Sequence, residues 1–304
     1  MVKAIRGKKL TSKEAARVLG VSEASVKRWA DGGLLPMEKT AGGHRRFRPE
    51  DVAVIRRAGI VEKEPGLLKK RSAARLLARP ARAAELAPGK EAQVIEETFG
   101  ALMDGHDEEL SALLVNLHLH GQTVGSIADS FLCPAMRRVG DLWHAGELSV
   151  GQEHVATRTA TSALRQLQSV LDVPEGERTR ALCCGVEDDF HELPLRIAAL
   201  TLEAGGAEVF NLGMSTPFSA LAEVVQRFRP ELVCVSSTLL VSLDRAAREY
   251  SAFHKTARRV RARIVLGGAG FADAGVRSRL PADLHAESFR ELEEFISTPA
   301  TGES

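Results

Sequence analysis

Residues 182–194, LCCGVEDDFHELP, run from an apolar strand into a loop holding Asp188, Asp189 and His191, and then into a helix start. The four residues before the acidic turn have no helical periodicity, and the ones after it do. The same alternation continues downstream. TRALCCGV (179–186), AEVFNLG (207–213), ELVCVSST (231–238) and ARIVLGGA (262–269) read as strands. LPLRIAALTLEAGG, TPFSALAEVVQRFRP and LDRAAREYSAFHKTARRVR read as the helices between them. Strand alternating with helix predicts a doubly wound parallel sheet over 178–297, whose ligand lies beyond the carboxyl ends of the strands. That edge collects Asp189, His191, Thr216, Ser236, Gly267 and Gly268.

Upstream, residues 91–173 are helical throughout. EAQVIEETFGALMDG, HDEELSALLVNLHLHG, TVGSIADSFLCPAMRRVGDLWHAG and SVGQEHVATRTATSALRQLQSVL each carry apolar residues at spacings of three and four. Gly105, Gly121 and Gly146 mark the breaks, so the segment predicts an up-and-down four-helix bundle. Within it, LWHAGELSVGQEH (142–154) holds one of only two tryptophans and two of the nine histidines. Ser149 and Gln152 have the spacing of a capping box, which starts the fourth helix at Ser149. Trp143 and His144 then lie at one helix end, and Glu153 and His154 in the first turns of the next. A Trp staple with polar caps would explain these residues without a ligand, and no HExxH or other zinc spacing accompanies them. His118 and His120 point to opposed sides of their helix and read as structural or surface residues, and His106 sits near a helix start.

Residues 1–61 form a separate head. Thr11 and Glu14 make a capping box before Ala15, Ala16, Val18 and Leu19. Gly20 stops that helix, and Ser22 caps a second one running to about Ala30, with Val26 and Trp29 inward. This is a helix-turn-helix, and Ser25, Lys27 and Arg28 are placed to reach DNA. Pro36 and the Gly42–Gly43 pair punctuate a hairpin whose return strand carries His44, Arg45, Arg46 and Arg48 around Phe47, a basic wing suited to phosphates. Asp51, Val52, Ile55 and Arg56 open a further helix. Residues 62–90, Ala/Arg-rich and interrupted by Pro65, Pro80 and Pro88, read as a linker.

The charge follows these divisions. Residues 1–60 carry 14 Lys/Arg and 6 Asp/Glu, a net +8, while the remainder carries 27 and 34, a net −7. A basic head on an acidic body points to a polyanionic partner for the head alone. No apolar run is long enough for a membrane span, MVKAIRGKKL lacks the core of a signal peptide, and the four cysteines form no CxxC pair. The expectation is a cytoplasmic protein with reduced, buried thiols.

The head, from Leu10 to about Arg57, resembles the winged-helix DNA-binding domain of the MerR family, most specifically in WADGGLLP followed by GGHRRF. The C-terminal third resembles the cobalamin-binding domain of methionine synthase, mutases and cobalamin-dependent regulators. That family's DxHxxG, SxL and GG read here DFHELP, SST and LGGAG. The resemblance implies that His191 is the lower axial cobalt ligand and that Asp189 orients its ring. Ser236, Gly267 and Gly268 would then receive the nucleotide tail. Pro194 stands where the family has Gly, and suits the first position of the following helix. Thr238 stands where the family often has Leu.

In that order of parts, nearly the whole chain resembles the CarH family of adenosylcobalamin-dependent photoreceptor repressors. The family's W-x9-EH is met by Trp143 and Glu153–His154, and its His after the Trp by His144. The resemblance implies a non-enzymatic regulator that binds adenosylcobalamin in the dark, forms a tetramer on double-stranded operator DNA and releases it in light. His144 would then take the upper cobalt position. The alternative keeps the architecture without the light response, as a cobalamin-binding or partner-regulated MerR-type transcription factor.

Overall fold

The computed structural model describes residues 9–19, 23–31, 35–40, 43–49, 51–53, 90–171 and 178–298. In the head, β1 (Leu10–Thr11) leads into α1 (Ser12–Leu19), followed by α2 (Glu23–Asp31) and the hairpin β2 (Glu38–Lys39) and β3 (Arg45–Phe47). The predicted capping box forms: Glu14 N–H donates to Thr11 Oγ1 at 3.2 Å and Thr11 N–H to Glu14 Oε2 at 2.7 Å. The three strands pair antiparallel in the order β1-β3-β2. Phe47 from β3 joins Ala15, Val26, Trp29, Leu35 and Val52 in one small core. Gly20, Ser22, Gly42, Ile55, Arg56 and the linker at 62–89 lie outside the described residues, as do the side chains of Ser25 and Arg28.

Four helical passes form the bundle. They are α3 (Lys90–Met103), α4 (Asp107–Leu119), a third pass from Val124 to His144, and α7 (Val150–Gln168). Lys90, expected in the linker, already begins α3. The third pass is not one α-helix. It comprises α5 (Val124–Ile127), a π-helical stretch at Ala128–Leu132 and α6 (Cys133–His144). Gly105, Gly121 and Gly146 all adopt positive φ at the breaks.

The C-terminal domain has five parallel strands, β4 (Arg180–Gly185), β5 (Glu208–Asn211), β6 (Leu232–Ser236), β7 (Arg263–Gly267) and β8 (Leu284–Ala286). Their spatial order is β5-β4-β6-β7-β8. Three helices connect the first four strands, α8 (Glu192–Ala204), α9 (Phe218–Phe228) and α10 (Leu243–Val260). A short α11 (Ala274–Arg279) precedes β8 and α12 (Phe289–Ser297) ends the fold. The central strands β4, β6 and β7 are apolar on both faces because both faces are covered. Leu182, Cys184, Val233 and Val235 pack toward α9 and α10, while Ala181, Cys183, Leu232 and Cys234 pack toward α8 and α12. Strand order reverses between β4 and β6, so the switch point lies there.

The bundle rests on the outer side of α8 and α12. Leu193, Ile197 and Leu200 of α8 belong to the bundle's own core. Polar contacts lock one end. Glu293 of α12 accepts from Thr123 Oγ1 and Gly125 N–H, both at 2.7 Å, and so caps α5. Asp129 returns the bond, accepting from the first N–H groups of α12 at Phe289 (3.1 Å) and Arg290 (2.9 Å). Arg290 also donates to Ser126 and Ser130 at 3.1 and 2.5 Å. Each helix thus has its N-terminal donors satisfied by a carboxylate of the other, the arrangement a helix dipole favours. Gly125 is obligatory here, because a Cβ would lie 2.8 Å from the Glu293 carboxyl and from Phe289 O.

Candidate cofactor site and DNA-binding face

The loop after β4 begins where the sheet ladder ends. Val186 N–H donates to Ser236 O at 3.0 Å and bridges in parallel to Thr216. The chain then turns through Asp188, at φ 63°, whose N–H donates to Ser215 Oγ at 3.1 Å. Arg245 of α10 clamps the turn with one guanidinium nitrogen, 2.5 Å from Glu187 and 2.8 Å from Asp188.

Asp189 is buried beneath this turn, at 3% exposure. One carboxylate oxygen accepts from His191 N–H at 3.0 Å and lies 2.6 Å from His191 Nδ1. The other accepts from Thr238 N–H at 2.5 Å and Leu239 N–H at 3.2 Å. Burial works to raise its pKa, but these donors outweigh it and hold the carboxyl below the ordinary carboxylate range. The ionised carboxylate fixes Nδ1 as the protonated nitrogen, leaving Nε2 as the lone-pair nitrogen. The His191 side chain is 55% exposed, so that nitrogen is accessible.

Ser236 ends β6 nearly buried, its carbonyl occupied by Val186. Ser237, one residue on, is the more distinctive. Its hydroxyl is fully buried and has no hydrogen-bond partner. Its backbone is stitched to the β7 turn: Ser237 N–H donates to Gly267 O and Gly270 N–H to Ser237 O, both at 2.9 Å. A Cβ on Gly268 would lie 2.3 Å from Ser237 O, and one on Gly270 2.2 Å from Ser237 Oγ. Gly267 has ordinary clearance against Ala286. Ser237 and Gly270 were missing from the sequence reading. Ser237–Thr238–Leu239 fits the SxL pattern one residue later than the assignment to Ser236, and the spacing Gly268-x-Gly270 was the available signal for the other.

Pro194 occupies the third position of α8, not the first, because the helix begins at Glu192 with His191 as its N-cap. The site still tolerates a residue without N–H, since first-turn donors have no intrahelical partner.

At the bundle rim the Ser149–Gln152 capping box forms in full, with Ser149 as N-cap and α7 beginning at Val150. The Trp143 and His144 rings contact each other, centroids 4.9 Å apart. Glu153 accepts from Thr157 Oγ1 at 2.6 Å and lies 3.6 Å from His154 Nε2. Trp143 is 41% exposed, and His144 and His154 are exposed too. His118 and His120 turn their Nδ1 atoms to backbone carbonyls, Gln122 O at 3.1 Å and Asn116 O at 2.7 Å. That matches their reading as structural.

Among the described residues, no three His, Cys, Asp or Glu side chains converge as a metal cage. A lone, oriented and outward imidazole nitrogen suits a metal whose other positions are filled by its own macrocycle. The orphan Ser237 hydroxyl, the side-chain-free ledge of Gly267 and Gly268, and exposed Phe190, Leu239 and Val241 around the histidine fit the tail and apolar rim of such a group. Cys183, Cys184 and Cys234 are buried; burial with the neighbouring Asp129 pushes the half-buried Cys133 thiol up to about 12, the Cys183 thiol is pushed up by its hydrogen bond with Cys234 and by burial, and the Cys184 thiol by burial.

In the head, Lys27 and His44 are exposed, and Arg45, Arg46 and Arg48 are half-buried along the wing. Some of the expected positive charge is engaged. Glu23 lies 2.8 Å from Lys27, and Glu38 pairs with both Lys9 and Arg48, the latter at 3.2 Å.

Family models match the three parts: a helix-turn-helix domain at residues 10–56, and B12 binding domains at 94–168 and 179–288. The HTH-type transcriptional repressor CarH of Myxococcus xanthus is 26% identical over 261 residues, covering 83% of this chain and 84% of that protein. The chain is CarH-like. Trimethylamine corrinoid protein 2 of Methanosarcina acetivorans is 22% identical over 172 residues, which is 56% of this chain and 74% of that protein. The monomethylamine corrinoid protein of Methanosarcina barkeri superimposes with a TM-score of 0.58 at 19% identity, covering 68% of this chain and 98% of that one. No helix among the described residues is long and apolar enough to cross a membrane.

Proposed function

We propose that this CarH-like chain is a light-responsive, cytoplasmic transcriptional repressor that takes adenosylcobalamin in the dark. The observation that carries the reading is the His191 imidazole, held by buried Asp189 with its second nitrogen outward, at the switch point of a sheet joined to a helix-turn-helix head. Bound adenosylcobalamin supplies a cobalt–carbon bond that visible light breaks. His191 would stand below the corrin as the protein's ligand, with Asp189 fixing its ring. Thr216, Ser236, Ser237, Gly267 and Gly268 would take the nucleotide tail along the strand ends. Trp143, Glu153 and His154 would cover the adenosyl group, and His144 would be a second residue able to hold the cobalt.

Among the described residues, the bundle is hydrogen-bonded to the sheet domain through Thr123–Ser130 and Gln168, away from the rim. Losing a bound group can shift a two-state element only through contacts that differ between the states. Trp143 and Glu153 would supply that difference. Tetramerisation would bring several heads onto one operator, and linking heads multiplies affinity by about 10²–10⁴. Assembly could thereby govern DNA binding with no change in Lys27, Arg45 or Arg46. The head favours this regulatory reading over a corrinoid carrier, because a helix-turn-helix domain at residues 10–56 serves DNA binding and not carriage of a methyl group.

The test is a dark purification with adenosylcobalamin, followed by visible spectrum and elution volume before and after green light. The expected result is a bound cobalamin spectrum that changes on illumination, with a shift to smaller size. In His191→Ala the dark spectrum should lose the signature of a protein imidazole ligand. Bound cobalamin without a size change would reduce the function to a ligand sensor, and no bound cobalamin would overturn it.

A further inference from the structure

Four non-glycine residues among those described have positive φ. Asp188 and Ser215 belong to the turn after β4, within the cofactor site. The other two are Arg229, at φ 47°, and Arg261, at φ 63°. Each is the C-cap of a helix, at the corner where α9 passes into β6 and α10 into β7. The corresponding corner between α8 and β5 is made by Gly206, at φ 90°. Glycine takes this conformation freely, whereas in arginine Cβ crowds the backbone. Backbone strain of this kind collects at functional sites.

Both arginines stand at the amino ends of the strands, the end of the sheet opposite His191. Glu231 N–H donates to Arg180 O and Arg263 N–H to Glu231 O, both at 2.9 Å, so the starts of β4, β6 and β7 lie side by side. Arg178 precedes β4 there, and Arg259 lies in the last turn of α10. Arg178, Arg229, Arg259 and Arg261 are exposed, and among the described residues none of the four is in an ion pair. The carboxylates at the strand starts are already matched, Glu231 with Arg180 at 3.9 Å and Asp283 with Arg258 at 2.8 Å. Unpaired positive charge thus gathers at one pole of a body whose net charge outside residues 1–60 is −7. A cation near a helix C-terminus also opposes the helix dipole, but Arg258 and Arg259 supply that for α10 from ordinary helical backbone.

We propose that this pole is a second contact for duplex DNA, which grips phosphates without reading sequence. The choice of polyanion rests on the DNA-binding reading of the helix-turn-helix head. Neighbouring strands lie about 4.8 Å apart, so the starts of β4, β6 and β7 span about 10 Å. One strand of a duplex presents about three phosphates over that length. Guanidinium groups match phosphate oxygens with two parallel hydrogen bonds. Two linked weak contacts, head and pole, act on one DNA as a stronger one.

The test is fluorescence anisotropy of the full chain on a labelled mixed-sequence duplex of about 60 base pairs, in the dark, with and without adenosylcobalamin, across about 50–200 mM salt. Each phosphate contact removed lowers the slope of log affinity against log salt by about 1. Arg229→Gly with Arg261→Gly should flatten the slope by about 2, with circular dichroism and elution volume unchanged. Arg178→Gln with Arg259→Gln leaves both corners intact and should flatten it likewise. Arg229→Lys with Arg261→Lys keeps the charge and should keep the slope. The wing pair Arg45→Ala with Arg46→Ala should flatten the slope separately, adding to either pole pair. A slope lowered by the wing pair but by neither pole pair would overturn the proposal and leave the head's DNA binding standing. Affinity lost together with a changed elution volume would overturn it too, giving the pole to a second copy of the chain. A wild type that binds no duplex would overturn both readings.

Discussion

The loop after β4 and the rim of the bundle are built on opposite terms. In the loop, Asp189, His191, Ser237 and Gly268 are stitched into the sheet by short backbone and side-chain bonds, and Arg245 clamps the turn from outside. On the rim, the polar contacts described for Trp143, His144, Glu153 and His154 are local, and the bundle is tied to the sheet domain at its other end. Low local stability belongs where movement is needed, and high stability where a group must be held in one geometry.

Substitutions should separate the two sides by the size of their effect on unfolding. The largest effect belongs to Gly268→Ala. Its φ of 103° and ψ of 170° form a region that essentially only Gly occupies, and the new methyl would meet Ser237 O. A loss of at least about 3 kcal/mol is expected in denaturant unfolding, and a loss under 1 kcal/mol would mean the turn is not a fixed platform.

Asp189→Ala comes next. It leaves the Thr238 and Leu239 N–H groups and the His191 ring without their acceptor, costing about 1–3 kcal/mol. In the wild type, the contribution of Asp189 is present above the ordinary carboxylate range near pH 4 and is lost as pH falls through its depressed value. Stability measured between pH 6 and pH 2 should therefore fall more steeply in the wild type than in Asp189→Ala. Parallel curves would show that the carboxylate does not brace the loop.

Trp143→Ala should be the mildest, below about 1 kcal/mol, because the residue is 41% exposed and its ring partner His144 is itself exposed. Its effect should appear instead in the light-dependent size change. If it destabilised the fold as much as Asp189→Ala, the rim would be a packed part of the structure and the contrast would fail.

Local signals made most of this legible in the sequence. The capping boxes at Thr11–Glu14 and Ser149–Gln152, the glycine breaks of the bundle, four of the five strands and the Asp189–His191 pair all depend on residues a few positions apart. What escaped depends on distance or on weak patterning. Strand β8 is only Leu284–Ala286, with a histidine at its centre, too short to show a period. The reciprocal capping by Glu293 and Asp129 joins residues more than 150 positions apart. The significance of Ser237 is that its hydroxyl is buried, which no spacing announces. Arg245 looked like one of many surface arginines on α10 until the fold brought Asp188 to it.

The π-helical stretch at Ala128–Leu132 begins within the anchored residues Ser126–Ser130 and ends well before the rim at Trp143. A π turn carries one more residue than an α turn, and each residue of a helix accounts for about 100° of rotation. The extra residue therefore works as an angular offset between the two ends of a single rod. Were it deleted, the anchor could remain seated while Trp143 and His144 swung about 100° around the helix axis. The orientation of the rim is thus set some ten residues away from it, by a gearing defect inside the third pass.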